Sequence, residues 1–134
     1  MEDTAVNIPD VLAELRTEFE RYEAALLRND VPVLNDYFWN SAETVRYGLA
    51  EHSLGIAAVH AARAELAPVP ADRRLQRTVI TTFGRDAGSV STEFQAPGSP
   101  LVGRQTQTWI RFAGRWRIVA AHVSTADPAR LRRY

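Results

Sequence analysis

The sequence predicts an α+β fold, a curved antiparallel sheet wrapped on N-terminal helices. Three observations point to it. An apolar stripe at helical spacing runs through the first thirty residues or so. From Leu75 onward β-branched and aromatic residues dominate, as strands prefer. Turn residues punctuate that second half closely enough for antiparallel hairpins. Helices gathered at the front and strands at the back are the α+β layout. A long sheet curling round helices makes a cone with one open end, and such a cone leaves a cavity for a small molecule.

The elements follow in order. Asn7-Ile8-Pro9-Asp10 reads as a helix start: a capping side chain, Pro in the first turn, then an acid. Ile8, Val11, Leu12, Leu15, Phe19, Tyr22 and Leu26 then form one stripe, ending near Asn29. Asp30-Val31-Pro32 caps a second, shorter helix with Val33, Leu34, Tyr37 and Phe38 inward. "ETVRYG" is a short strand, with Val45 and Tyr47 on one face and Thr44 and Arg46 on the other. "LAEHSLG" reads as a turn, "IAAVHAARAEL" as a third helix and "APVPADR" as a loop. "LQRTVITTF", "SVSTEF" and the two halves of "GRQTQTWIRFAGRWRIVAAHVS" are strands, the last two joined at Ala113-Gly114. At 134 residues the chain is expected to be one domain over 1–126, with a basic tail at 127–134.

Composition narrows the function. There is no cysteine, hence no disulfide, thiolate metal site or cysteine nucleophile. His52, His60 and His122 lie in separate segments without HxH or HExxH spacing, so neither a metal nor a cofactor is expected. Net charge is zero, from 16 basic and 16 acidic residues, which argues against nucleic-acid or membrane partners. The acidic, polar N-terminus is unlike a signal peptide, and a cytoplasmic location is expected. All the basic residues are arginine. A GC-rich genome would explain that. So would recognition of a planar anion by rigid guanidinium forks.

With a two-residue turn at Ala113-Gly114, period two places Gln105, Gln107, Trp109, Trp116, Ile118, His122 and Ser124 on one face. That face is aromatic near the turn and polar away from it, as a cone with a dry tip and a wet mouth requires. The alternative buries both faces, one in the core and one in a dimer.

"RYEAAL" followed by "ND", together with "FW", "TVRYG", "TTFGRD" and the final hairpin, resembles the HpxZ-type oxalurate catabolism proteins and the related AtzH-like proteins of cyanurate breakdown. Both lie in the SnoaL-like, nuclear-transport-factor-2-like superfamily. The resemblance spans roughly Ile8 to Ser124. The hairpin alone says less, since a non-enzymatic kinase association domain has a similar one. The resemblance implies a cone-shaped fold of the cystatin-like kind, commonly a homodimer formed through the outer face of the sheet. It also implies a small, planar, anionic ureido or carboxylate ligand and hydrolysis of a C–N bond in a carboxylated urea such as dicarboxyurea.

Tyr22, Arg46 and His122 are the candidate catalytic residues. Arg46, mid-strand among apolar neighbours, would bind a carboxylate and stabilise an oxyanion; the alternative is an ion pair with Glu51 or Glu93. Tyr22 would polarise a carbonyl or position water, a nearby Arg favouring its phenolate; the alternative is core packing. His122 suits proton transfer, since histidine's ordinary pKa is ~6.5. Arg63, Arg104, Gln105, Gln107, Trp109 and Ser124 are candidate substrate-binding residues, with Trp109 a wall that stacks on a planar ligand. Glu20, Glu23 and Arg132-Arg133 are expected to be solvated. The competing function is a non-catalytic anion-binding partner of an amidase.

Overall fold

The computed structural model describes residues 3–134; Met1 and Glu2, the start of the acidic N-terminus and of the expected domain, lie outside the described residues. The elements are α1 (Pro9–Arg28), α2 (Val31–Tyr37), β1 (Val45–Tyr47), β2 (His52–Leu54), α3 (Ile56–Glu65), β3 (Arg74–Phe83), β4 (Ala87–Gln95), β5 (Val102–Phe112) and β6 (Arg115–Ala126). The six strands form one sheet in the order β2-β1-β6-β5-β4-β3. Every neighbouring pair is antiparallel except β1 with β6. This is the α+β cone, open at one end.

Helix α1 lays its stripe on the concave face of the sheet, burying Val11, Leu15, Phe19, Tyr22 and Leu26. It can lie that close because Gly88 in β4 has no side chain; a Cβ there would overlap Leu15 Cδ2. At the helix end Asn29 takes a left-handed conformation, and the Asn29 and Asp30 amides donate to Leu26 O and Ala25 O. These bonds satisfy carbonyls that a helix terminus otherwise leaves open. Asp30 then caps α2, its Oδ1 accepting from Val33 N at 3.4 Å. Trp109, Trp116, Ile118 and Leu34 complete the core.

Three expectations need correction. Asn7 does not cap α1, whose N-terminus has no side-chain cap. Its left-handed backbone instead turns the amide oxygen to Thr82 N at 2.9 Å, while Asn7 N donates to Thr82 O. The segment before α1 therefore covers the outer edge of β3, which would otherwise offer unpaired backbone groups. "LAEHSLG" is more than a turn, because His52–Leu54 form β2 against β1. Only Ser53 of that strand is buried, so no apolar alternation marked it.

The third correction concerns the final hairpin. Ala113 and Gly114 both have positive φ, the two-residue turn expected. Pairing runs from Phe112↔Arg115 to Trp109↔Ile118, and the next pair is Thr108↔Ala120. Val119 is one extra residue in β6, a β-bulge, and it reverses the parity of everything beyond it. His122 thus faces Thr106 and Ser124 faces Arg104, on the outer face of the sheet. Ala121, Val123 and Thr125 turn inward in their place.

Candidate functional site

Between the concave face of the sheet, α1, α3 and the loop at 66–73 lies a cavity of about 400 Å³. The polar groups that matter most come from four elements and two connecting segments. Helix α1 supplies Tyr22, β1 Arg46, α3 Arg63 and β5 Gln105 and Gln107; Glu51 enters from the turn between β1 and β2, and Arg73 from the loop after α3. The remaining wall is largely apolar, from Leu26, Leu66, Val69, Phe94, Leu101 and Val123 among others.

Arg46 and Glu51 form an ion pair at 2.7 Å between Nη1 and Oε1. The turn is shaped around it: Ala50 N donates to Glu51 Oε2, and a Cβ on Gly48 would overlap the Glu51 carboxylate. The hydrogen bond from Arg46, with help from that amide, holds the Glu51 carboxyl below its ordinary pKa against the opposing effect of burial. Arg46 therefore forms the ion pair with Glu51 that was the alternative for it, and it also lines the cavity.

Arg63 differs. Its residue is 8% exposed, yet among the described residues no carboxylate forms an ion pair with it. Burial lowers its pKa, opposed in part by the neighbouring Tyr22 hydroxyl. Tyr22 is 3% exposed, and burial raises its phenol above the ordinary value despite the nearby arginines. The phenolate expected at this position is corrected: desolvation outweighs the guanidinium field, and the group is a neutral hydroxyl donor.

Gln107 is 2% exposed and accepts from the Trp109 indole Nε1 at 3.0 Å. The amide oxygen is thus committed to the indole, leaving the Nε2 donor without a protein acceptor on the cavity side. Trp109 itself is fully buried and is not part of the lining. Its ring packs edge-on against Tyr22 and Tyr37, at centroid distances of 6.3 and 5.7 Å. It braces Tyr22 and Gln107 and is not the flat wall expected of it.

The opposite side of the cavity was not anticipated. Arg73 donates to Glu23 from Nε at 3.3 Å and from Nη2 at 3.1 Å, and reaches Gln105 Oε1 at 3.3 Å. Gln105 Nε2 returns a bond to Glu23 Oε2 at 3.4 Å. The Arg73 guanidinium also lies 4.1 Å over the Phe94 ring, whose other side rests on Gly103. Glu23, expected in solvent, is 8% exposed. Its place beside Tyr22 on α1 was visible in the sequence, but its partner fifty residues away was not.

His122, Arg104 and Ser124 do not reach this cavity. Arg104 Nε donates to Ser124 Oγ at 3.1 Å on the outer face, and His122 is exposed beside Tyr47, ring centroids 5.7 Å apart. The reason is the Val119 bulge for the two β6 residues and plain alternation with Gln105 for Arg104. Arg133 of the tail pairs with Glu93 at 2.9 Å, also away from the cavity. No helix among the described residues is long and apolar enough to cross a membrane.

A sheet curved over helices, with a partly apolar cavity and a small set of converging donors, defines a pocket protein of the cystatin-like, nuclear-transport-factor-2-like class. Residues 4–129 match the AtzH-like family, and the chain belongs to it. It is similar to a cystatin-like fold protein from Burkholderia xenovorans LB400, with 51% identity, a TM-score of 0.89, and 91% and 96% of the two chains covered. A protein of unknown function from Pectobacterium atrosepticum SCRI1043 is 50% identical, with a TM-score of 0.87 and 90% and 94% covered. A ketosteroid isomerase-like protein from Erwinia carotovora atroseptica SCRI1043 shares the fold at 15% identity, with a TM-score of 0.72 over 90% of this chain and all of that one. No curated protein matches the sequence.

Proposed function

We propose that the cavity binds a small planar anion of the carboxylated-urea class, and that water hydrolyses a C–N bond of that ligand there without a cofactor. One observation carries this reading: side-chain donors open on the cavity without a protein carboxylate or amide oxygen to meet them. Arg63 has no carboxylate partner, Tyr22 keeps its proton and Gln107 Nε2 lacks an acceptor. Donors that converge on one cavity without protein acceptors fit a ligand rich in oxygen.

In this reading Arg63 takes a carboxylate. Arg46 and Tyr22 donate to the carbonyl oxygen as negative charge develops on it, in a partly dry site where fixed donors act most strongly. Water adds to the carbonyl carbon, the C–N bond breaks and the leaving nitrogen takes up a proton, which the neutral Tyr22 phenol relays. AtzH-like membership supports the ligand class, and the oxalurate and dicarboxyurea chemistry implied by the resemblance supplies the first compounds to try. Ammonia release from a panel of ureido-carboxylates is the test. Turnover that falls at least ~100-fold in Arg46→Ala supports hydrolysis. No release from any compound, with the variant behaving like the parent, sinks it.

A second reading is favoured by the position of His122 outside the cavity, which leaves the pocket without a histidine base. The protein would then capture the anion and assist or regulate an amidase. Ligand binding without turnover, together with a stable complex on mixing with the amidase, would select it. We further propose that two copies pair through the outer face of the sheet. Tyr47, Val79 and Phe83 on its strands are exposed, which supports this.

A further inference from the structure

Arginine is a long side chain whose planar fork recognises oxygen well only when it is held in place. The way Arg46 is held differs from that of two other arginines with little exposure. Arg73 is bonded through Nε and Nη2, and Arg111 through Nε and Nη1. Arg46 donates to Glu51 from Nη1 alone, at 2.7 Å, and among the described residues its Nε and Nη2 form no hydrogen bond within the protein. Both members of this pair line the cavity. One end of the guanidinium is gripped and the rest is left free.

Glu51 is itself fixed by its turn. Gly48 N donates to Glu51 O at 2.9 Å, closing the connection between β1 and β2. The Glu51 carboxylate folds back over Gly48, where a Cβ would overlap it and crowd Arg46 Nη1. Ala50 N meets its second oxygen at 3.2 Å. Arg46 also has a reason to swing away, since Arg63 lines the same cavity and like charges repel. Glu51 offsets that repulsion, because its charge acts favourably on both arginines.

From this we infer that Glu51 is a positioning residue: it grips Arg46 through Nη1 and leaves Nε and Nη2 for an oxygen of the ligand. It acts through Arg46 and need not touch the ligand. The inference rests on the reading above that Arg46 donates to ligand oxygen, and not on turnover.

Titration calorimetry with oxalurate and N-carbamoylglycine separates the reach of Glu51 from its charge. Glu51→Asp keeps the charge but is one methylene too short for the 2.7 Å bond, and is expected to bind at least ~tenfold more weakly than wild type. Glu51→Gln loses the charge but keeps an oxygen for Arg46, and is expected to bind within ~threefold of wild type or more tightly. Combined with Arg46→Ala, Glu51→Asp is expected to change binding less than ~twofold, since nothing is left to hold. Should Glu51→Asp fail to fold, Glu51→Ala gives a comparison with Glu51→Gln at equal charge, and is expected to bind at least ~tenfold more weakly than it. Glu51→Asp binding like wild type, Glu51→Gln losing as much as Glu51→Asp, or an equal loss with and without Arg46 overturns the positioning role and leaves anion binding intact. Wild-type protein that binds neither probe, or binds as tightly after Arg46→Ala, overturns the ligand reading of Arg46 and this inference with it.

Discussion

Arg63 brings a guanidinium into a site 8% exposed without a carboxylate to receive it, and the functional account turns on that charge. Removing it should separate binding from folding. Arg63→Met should weaken binding of a carboxylated urea by about 2–5 kcal/mol, and should raise the stability of the empty protein by ~1 kcal/mol or more, since an uncompensated buried charge is replaced by an apolar chain. Calorimetry and thermal melts read the two effects; a variant losing both would make Arg63 a structural residue. His122→Ala should leave binding unchanged, because the side chain is exposed on the other face of the sheet. Glu51 gives a pH signature. Its folded pKa is depressed below the ordinary 4.5 by Arg46, so its contribution to stability is full above that value and is lost as pH falls through the folded one. The stability difference between wild type and Glu51→Gln should be constant above pH ~5.5 and shrink on acidification; a difference that grows in acid would contradict the assignment.

At the scale of elements, the loop at 66–73 is tied to α1 and β5 by Arg73 and Glu23. Arg73→Ala leaves Glu23 buried and unpaired, which should cost about 3–5 kcal/mol in denaturant unfolding, and pairing it with Glu23→Leu should recover most of that. A cost under ~1 kcal/mol would show that the pair is wet and that the loop is held by other means. The elements also show what the sequence made legible. Helical spacing located α1 and placed Tyr22 on its inward stripe, and the left-handed turn at Ala113-Gly114 set the hairpin register as far as Trp109. Beyond it the Val119 bulge was illegible, because Val-Ala-Ala-His-Val offers no polar alternation that a one-residue slip would violate. That slip moved His122 and Ser124 out of the candidate site. Arg73 and Phe94 were missed for another reason. Each lies in a segment read only as loop or strand; the Arg73–Glu23 pair exists only once α1 lies across the sheet, and the Phe94–Gly103 contact only once the β4–β5 register is set.

The whole molecule is a cone whose inner face holds the cavity and whose outer face presents Tyr47, Val79, Phe83 and His122 to solvent. If two copies cover that face, light scattering after size exclusion will give twice the chain mass of 15.0 kDa, whereas a monomer at micromolar concentration would contradict the pairing. The cavity does not depend on that outcome, since Tyr22, Arg46, Arg63, Gln105 and Gln107 all come from one chain. The most direct measurement is a crystal structure grown with a saturating ureido-carboxylate. The account predicts ligand density in the cavity with the carboxylate on Arg63 and the carbonyl oxygen within hydrogen-bonding distance of Tyr22 or Gln107. An empty cavity, or a ligand seated with its carboxylate on the outer face beside Arg104, would contradict it.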